Sequence, residues 1–233
     1  MKTLLAFAIA VLVLVPAAMA STTTCPTGGL DQYLTPGFTC TSGNLIFSNF
    51  SYSAAAAPPG IKILASGINV TPQTTTGDEG FLFTASWSVL ASGGIASSLD
   101  STIFFTVSTV NQQKTIDDLF LSFNGTATNG GAASVTEQWC ANNSIANCGS
   151  GQLNQIFVVT PGVPPPVTAV FAPVSSISIS KDISVSSGTG GYANITTVTN
   201  NFSQTGVPEP ASCLMLGAGL LGIGLLRKRA RKQ

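Results

Sequence analysis

In this 233-residue chain the residue types that carry most enzyme chemistry are few, and histidine is absent. A Ser-His-Asp or Cys-His relay therefore has no base, and a histidine-ligated zinc site has no ligand. The acids include two adjacent pairs, Asp78-Glu79 and Asp117-Asp118. Loop carboxylates can join a calcium site, but neither pair has the spaced ligands of a calcium loop. Solvated turn acids are the simpler expectation. A glycosidase needs two carboxyls facing each other across a cleft. Eight acids between residues 21 and 206 offer candidates, yet nothing selects two of them. No catalytic residue, cofactor or metal is expected.

Four cysteines remain as chemistry: Cys25 and Cys40, then Cys140 and Cys148. Four cysteines allow three disulfide connectivities. The local pairs Cys25–Cys40 and Cys140–Cys148 are expected, because short loops between turn residues close easily. A four-thiolate metal site lacks any C-x-x-C spacing. Of the two tryptophans, Trp87 shares its face with Phe81, Phe83 and Val89 and reads as core. Trp139 stands beside Cys140 in an Asn-rich segment. It could stack on a glycan, and it could equally pack on a disulfide. Thr22-Thr23-Thr24 and Thr74-Thr75-Thr76 suggest an ice-binding ladder, but no repeat of any period supports one. Six Asn-x-Ser/Thr sequons begin at Asn49, Asn69, Asn124, Asn142, Asn194 and Asn201, as expected by chance in an Asn/Ser/Thr-rich chain.

The two ends carry addresses. Residues 1–20 read as a signal peptide: Lys2, an apolar run from Leu4 to Val15, Pro16, then Ala18-Met19-Ala20 before cleavage between Ala20 and Ser21. At the other end Pro208-Glu209-Pro210 precedes an apolar stretch, Ala211 to Leu226, and a basic cluster that begins Arg227-Lys228-Arg229. As a helix the stretch would reach roughly 24 Å, slightly short of a hydrocarbon core of about 30 Å, a gap that snorkelling or bilayer thinning closes. The positive-inside rule puts residues 227–233 in the cytoplasm and the body outside. Gly217-Ala218-Gly219-Leu220-Leu221-Gly222 spells a dinucleotide fingerprint, but no strand precedes it and no βαβ unit follows.

Pro208-Glu209-Pro210, the Gly/Leu-rich span Leu216 to Leu226 and the terminal Arg/Lys cluster, in that order, resemble the PEP-CTERM sorting signal of Gram-negative bacteria. Tails of this type also carry the label ice-binding-protein C-terminal segment. The resemblance implies recognition by an exosortase, removal of the tail and delivery of the body to the cell surface or extracellular matrix. Cys213 inside the span departs from the usual aliphatic pattern.

The charge distribution agrees with such a division. Lys and Arg number nine, as do Asp and Glu, but five of the basic residues fall in the last seven positions. Residues 21–206 hold Lys62, Lys114 and Lys181 against eight acids, a net of −5. No basic patch is available for nucleic-acid phosphates, so no nucleic-acid partner is expected.

Between the ends, runs of β-type residues recur between Gly, Pro, Ser and Asn breaks. Phe81 to Leu90 alternates, as do Ile103-Phe105-Val107, Leu119-Leu121-Phe123 and Ile177-Ile179 with Ile183-Val185. The pattern predicts an all-β fold: a single antiparallel sandwich of about eight or nine strands over residues 21–203. Residues 204–210 are expected as a linker holding the Pro-Glu-Pro motif, and 211–226 as a transmembrane helix. The segment Ile177 to Ile195, with its Gly188-Thr189-Gly190-Gly191 break, predicts a hairpin. The leading expectation is an exported, non-enzymatic surface or matrix protein. It would meet signal peptidase and exosortase during processing, and the membrane through its tail. The alternative is a carbohydrate-binding module or adhesin of the exopolysaccharide matrix.

Overall fold

A computed structural model describes residues 23–75, 78–110, 114–142, 144–148, 153–160 and 166–206. The expected signal peptide, its cleavage site Ala20–Ser21, Pro208-Glu209-Pro210, the apolar span 211–226 and the Arg227-Lys228-Arg229 cluster lie outside the described residues.

The chain forms β1 (Thr23–Thr24), β2 (Gly28–Gly29), a one-turn helix α1 (Leu30–Tyr33), β3 (Thr39–Ser42), β4 (Leu45–Ala57), β5 (Asn69–Thr75) and β6 (Asp78–Leu90). It continues through β7 (Ser98–Thr109), β8 (Lys114–Thr128), β9 (Ala132–Ala141), β10 (Leu153–Thr160), β11 (Val167–Val174), β12 (Ser176–Ser186) and β13 (Tyr192–Gly206). Two sheets result, ordered β1-β3-β4-β7-β12-β9-β10 and β11-β8-β13-β6-β5-β2. All ladders are antiparallel except β1 with β3.

The all-β sandwich agrees with the alternation in the sequence, and its eight-strand heart has a definite topology. Strands β6 to β13 split four and four, as β7-β12-β9-β10 and β6-β13-β8-β11. This is a jelly roll, two interleaved Greek keys. The N-terminal strands add to its flanks, so the described residues hold thirteen strands and not the eight or nine expected. The surplus lies in the short β1, β2 and β3, which lack long apolar alternation, and in β9 and β11, whose alternation is diluted by Ser, Thr and Gln or by Ala and Pro.

In a jelly roll the chain crosses from sheet to sheet at most connections. Only β3–β4, β5–β6 and β9–β10 are consecutive strands that pair. The expected hairpin over Ile177 to Ile195 is therefore corrected: β12 and β13 lie in opposite sheets and do not pair. Gly188, at φ +58°, and its neighbours make a corner between the sheets. The linker boundary moves as well. Gln204, Thr205 and Gly206 pair with Ile116, Thr115 and Lys114, so these residues are strand.

Period-2 alternation sends Phe, Ile, Val and Leu into one interior. Phe47 lies 4.4 Å from Phe81 between ring centroids, and Phe105 and Phe202 complete the cluster at 6.1 to 6.3 Å. Each such ring, once fully buried, contributes about 2–3 kcal/mol. Helix α1 closes one end: Tyr33 packs on Phe38, Phe50 and Phe81 and donates its hydroxyl hydrogen to the Pro26 carbonyl. Trp87 is fully buried, as expected, and its indole N–H donates to Ser101 Oγ at 3.1 Å.

Both expected disulfides are present. Cys25–Cys40 ties the edge of the first sheet where Cys25 N–H donates to the Thr41 carbonyl, and Cys140–Cys148 ties the end of β9 to the loop after it. The Cys25–Cys40 closure spans 15 residues, a loop whose constraint on the unfolded chain is worth about 3 kcal/mol. Replacing both cysteines by alanine is expected to lower the unfolding free energy by about that amount in a denaturant titration. An unchanged midpoint would show that the N-terminal strands are held without the bond.

On the outer face of the first sheet, Asp182 of β12 is hydrogen-bonded to Asp100 of β7 and accepts from Thr102 Oγ1 at 3.4 Å. Partial burial, then the Asp100 charge, pushes the Asp182 carboxyl up to about 6. Free aspartate titrates near about 3.9. A carboxyl harder to ionise in the folded state stabilises that state while protonated. The contribution is complete below about pH 4 and is lost as pH rises through about 6. Asp182→Asn is thus expected to raise the melting temperature at pH 7 relative to wild type, with the gain vanishing at pH 4. An equal gain at both pH values would overturn the assignment.

Candidate functional site

The sorting residues follow directly on a strand that is paired on both sides up to Phe202 and with β8 alone from there to Gly206. Strand β13 runs between β8 and β6, and its last residue, Gly206, is registered with Lys114 of β8. Residue 207 is where the described structure stops and the sequence motif takes over. Among the described residues no helix is long and apolar enough to cross a membrane.

Trp139 is not a sugar platform. It is 5% exposed, and its ring lies 6.1 Å from that of Phe171 on the opposite sheet. The glycan-contact expectation for Trp139 is corrected on that ground: the indole points inward with Val135 and has no face to offer. One member of each acid pair differs from a solvated turn acid, while Asp78 is exposed as expected. Glu79 is 1% exposed and accepts from Gln204 Nε2 at 2.9 Å. Its side chain lies against Gly43, which has φ +57°, and a Cβ there would fall 2.5 Å from the Glu79 side chain. Asp118 Oδ1 accepts the Ser203 N–H at 3.2 Å. These carboxylates hold strands together and converge on no cleft.

Two arrangements that the sequence did not single out stand out in the structure. The first is a groove of about 460 Å³ on the outer face of the first sheet. Its floor comes from Asn49 and Ser51 of β4, Phe104 and Thr106 of β7 and Ser178 of β12, and Ser144–Ala146 make a wall. Asn49 sits at φ +55° in a bulge of β4, which turns its amide toward Thr106 Oγ1 at 3.4 Å. Thr106 and Ser178 share a hydroxyl hydrogen bond at 3.3 Å. The lining is uncharged and largely apolar, with a few hydroxyls and the Asn49 amide placed beside Phe104, the mixture that small-ligand sites commonly show.

The second is a polar trio in the dry interior. Lys181 of β12 and Glu137 of β9 are registered opposite each other in one sheet, and Asn200 of β13 reaches them from the other. All three are fully buried. Lys181 Nζ donates to Glu137 Oε2, and Asn200 Nδ2 donates to Glu137 Oε1 at 3.0 Å and to the Phe120 carbonyl at 3.2 Å. Asn200 Oδ1 is buried without a hydrogen-bond partner. Burial pushes the Glu137 carboxyl up against the opposing pull of Lys181, and burial pushes the Lys181 amine down. A sequence signal for the trio exists. Lys181 occupies the inward parity between Ile179 and Ile183, Glu137 that between Val135 and Trp139, and Asn200 that between Val198 and Phe202.

No curated relative matches the chain. Solved structures overlap it only loosely. TmCBM61 in complex with beta-1,4-galactotriose has 10% identity and a TM-score of 0.31, covering 80% of this chain and 100% of its own. The Glycosylation Associate Protein (Gap123) complex from Streptococcus agalactiae has 6% identity and a TM-score of 0.29, covering 65% of this chain and 26% of its own. The enzymatically active domain of Bacteriophage CBA120 tailspike protein 4 has 15% identity and a TM-score of 0.20, covering 66% and 19%. Overlaps of this size establish neither ligand nor activity. The family model of the PEP-CTERM protein-sorting motif matches residues 206–229, from the last residue of β13 through Pro208-Glu209-Pro210 and the apolar span to Arg229. The chain thus carries a PEP-CTERM protein-sorting motif directly behind a jelly-roll body.

Proposed function

We propose that this is an exported, non-enzymatic protein of the cell surface or extracellular matrix. An exosortase would release its disulfide-stapled jelly roll from a brief stay in the inner membrane. The observation that carries this reading is the sorting motif at 206–229, which begins where the folded body ends. Two features of the chain support the assigned roles. The sequence Pro208-Glu209-Pro210 disfavours a helix running back from the apolar span into the body, so a processing enzyme would meet extended chain. Arg227, Lys228 and Arg229 favour the cytoplasmic side and hold the apolar span in register.

Replacing Pro208-Glu209-Pro210 with alanines is expected to trap the protein in the membrane fraction. Wild type should appear outside the cell, with an intact mass running from Ser21 to near Pro208–Pro210. Normal release of the alanine variant would overturn the sorting role of these residues.

A second reading is favoured by the groove around Phe104. Its uncharged, largely apolar lining with a few hydroxyls and an amide suits a polysaccharide, with Phe104 as the surface on which a sugar ring would stack. The released protein is expected to be retained on purified exopolysaccharide, and Phe104→Ala to reduce retention about tenfold, equivalent to about 1.4 kcal/mol. Equal retention of the two proteins, or none, would remove the groove from the account.

A further inference from the structure

The geometry points to an intramolecular amide cross-link between the Lys181 side-chain nitrogen and the side-chain carbonyl carbon of Asn200, formed with Glu137 as proton carrier. The bond would join the two sheets through consecutive strands of the jelly roll.

Three observations carry this. First, one carboxylate holds both reacting groups: Lys181 Nζ is on Glu137 Oε2, and Asn200 Nδ2 is on Oε1 at 3.0 Å. Amine and carboxamide are thereby neighbours, with their shared acid beside the nitrogen that would leave. The Phe120 carbonyl, accepting from the same Nδ2 at 3.2 Å, limits rotation of the carboxamide. Second, the site is closed to bulk solvent. The trio is fully buried, with Ile103 and Ile156 registered beside Lys181 and Glu137, and Phe81 and Leu121 beside Asn200. Water is excluded as a competing nucleophile and as a source of solvation for charge. Third, the ground state is unfavourable as it stands. A buried ion pair is repaid only when its geometry and its extra hydrogen bonds are excellent, and here Asn200 Oδ1 has no partner among the described protein groups.

The step balances with no further reactant. In a dry interior, proton transfer from the ammonium to the carboxylate leaves a neutral amine and a neutral acid. Burial favours that state at both groups. The Lys181 lone pair attacks Asn200 Cγ, and a C–N bond forms. Glu137 gives its proton to the departing Nδ2 and takes one from the attacking nitrogen. The Cγ–Nδ2 bond breaks and ammonia leaves. Glu137 ends as it began the attack, a neutral acid, and no element is oxidised or reduced. The product has an amide N–H within reach of Glu137 and no charge left inside the protein. A desolvated lysine is the form of that side chain able to act as a nucleophile.

Peptide mapping of the full-length chain tests the bond. After reduction of the disulfides, chymotrypsin cuts behind Tyr192, between the two residues. The expected result is a branched peptide joining the segments around Lys181 and Asn200, lighter than its parts by one ammonia, about 17 Da. Separate, unmodified peptides would overturn the proposal. So would an ammonia loss mapped to Asn129-Gly130, where cyclisation of the asparagine gives the same mass change. Glu137→Gln keeps the shape of the site and removes the proton carrier. It is expected to show the unlinked peptides while retaining a β-type circular dichroism spectrum. A folded Glu137→Gln protein that is still cross-linked would remove Glu137 from the mechanism. If that variant fails to fold, the wild-type map alone decides the bond.

Discussion

A lysine in the middle of a protein interior has to be neutralised or partnered, and this body is built around one. Lys181 stands at the centre of an apolar strand face, registered with Glu137, and the pair meets Asn200 from the opposite sheet. Before any cross-link forms, removing either partner alone would leave the other buried without its counterpart, a change that costs about 3–5 kcal/mol in comparable sites. The surrounding packing therefore depends on register. A one-residue slip of β9, β12 or β13 would turn its member of the trio to solvent and expose a whole apolar face with it. Polar groups at this point specify the alignment of three strands in a way that one more isoleucine on each would not.

The parts of the protein that were legible in its sequence are those written locally. The Pro-Glu-Pro motif, the apolar span and the basic cluster form a linear signal, and the family match over 206–229 agrees with it. The disulfides Cys25–Cys40 and Cys140–Cys148 close short loops. Alternation at Phe81 to Leu90 and at Ile177 to Val185 marks strands with one face inward. What alternation does not say is which sheet a strand joins. Two alternating runs around a Gly-rich break look the same whether they pair as a hairpin or part at a corner, and β12 and β13 part.

Residue type also obscured residue position. Lys181 and Asn200 have the parity of core residues and the chemistry of surface ones, so a reading by hydrophobicity passes over them. Trp139 misleads in the reverse direction. Its polar neighbours suggest the surface, while its parity with Val135 places it inside. Glu79, placed by its neighbours in a solvated turn, is buried because Gln204 arrives from β13, 125 residues later. Such contacts become visible only when the jelly roll brings distant strands together.

The position of β13 has a mechanical side. It is the last described strand, yet it is central, paired with β8 along its length and with β6 from Tyr192 to Phe202, and the sorting segment leaves from its end at Gly206. Antiparallel ladder bonds lie across the strand direction. Tension applied at Gly206 along the strand axis would load both ladders in shear, so that many bonds must yield together and none can be peeled singly. A body held by this end is anchored at the place where its sheet best resists being pulled apart.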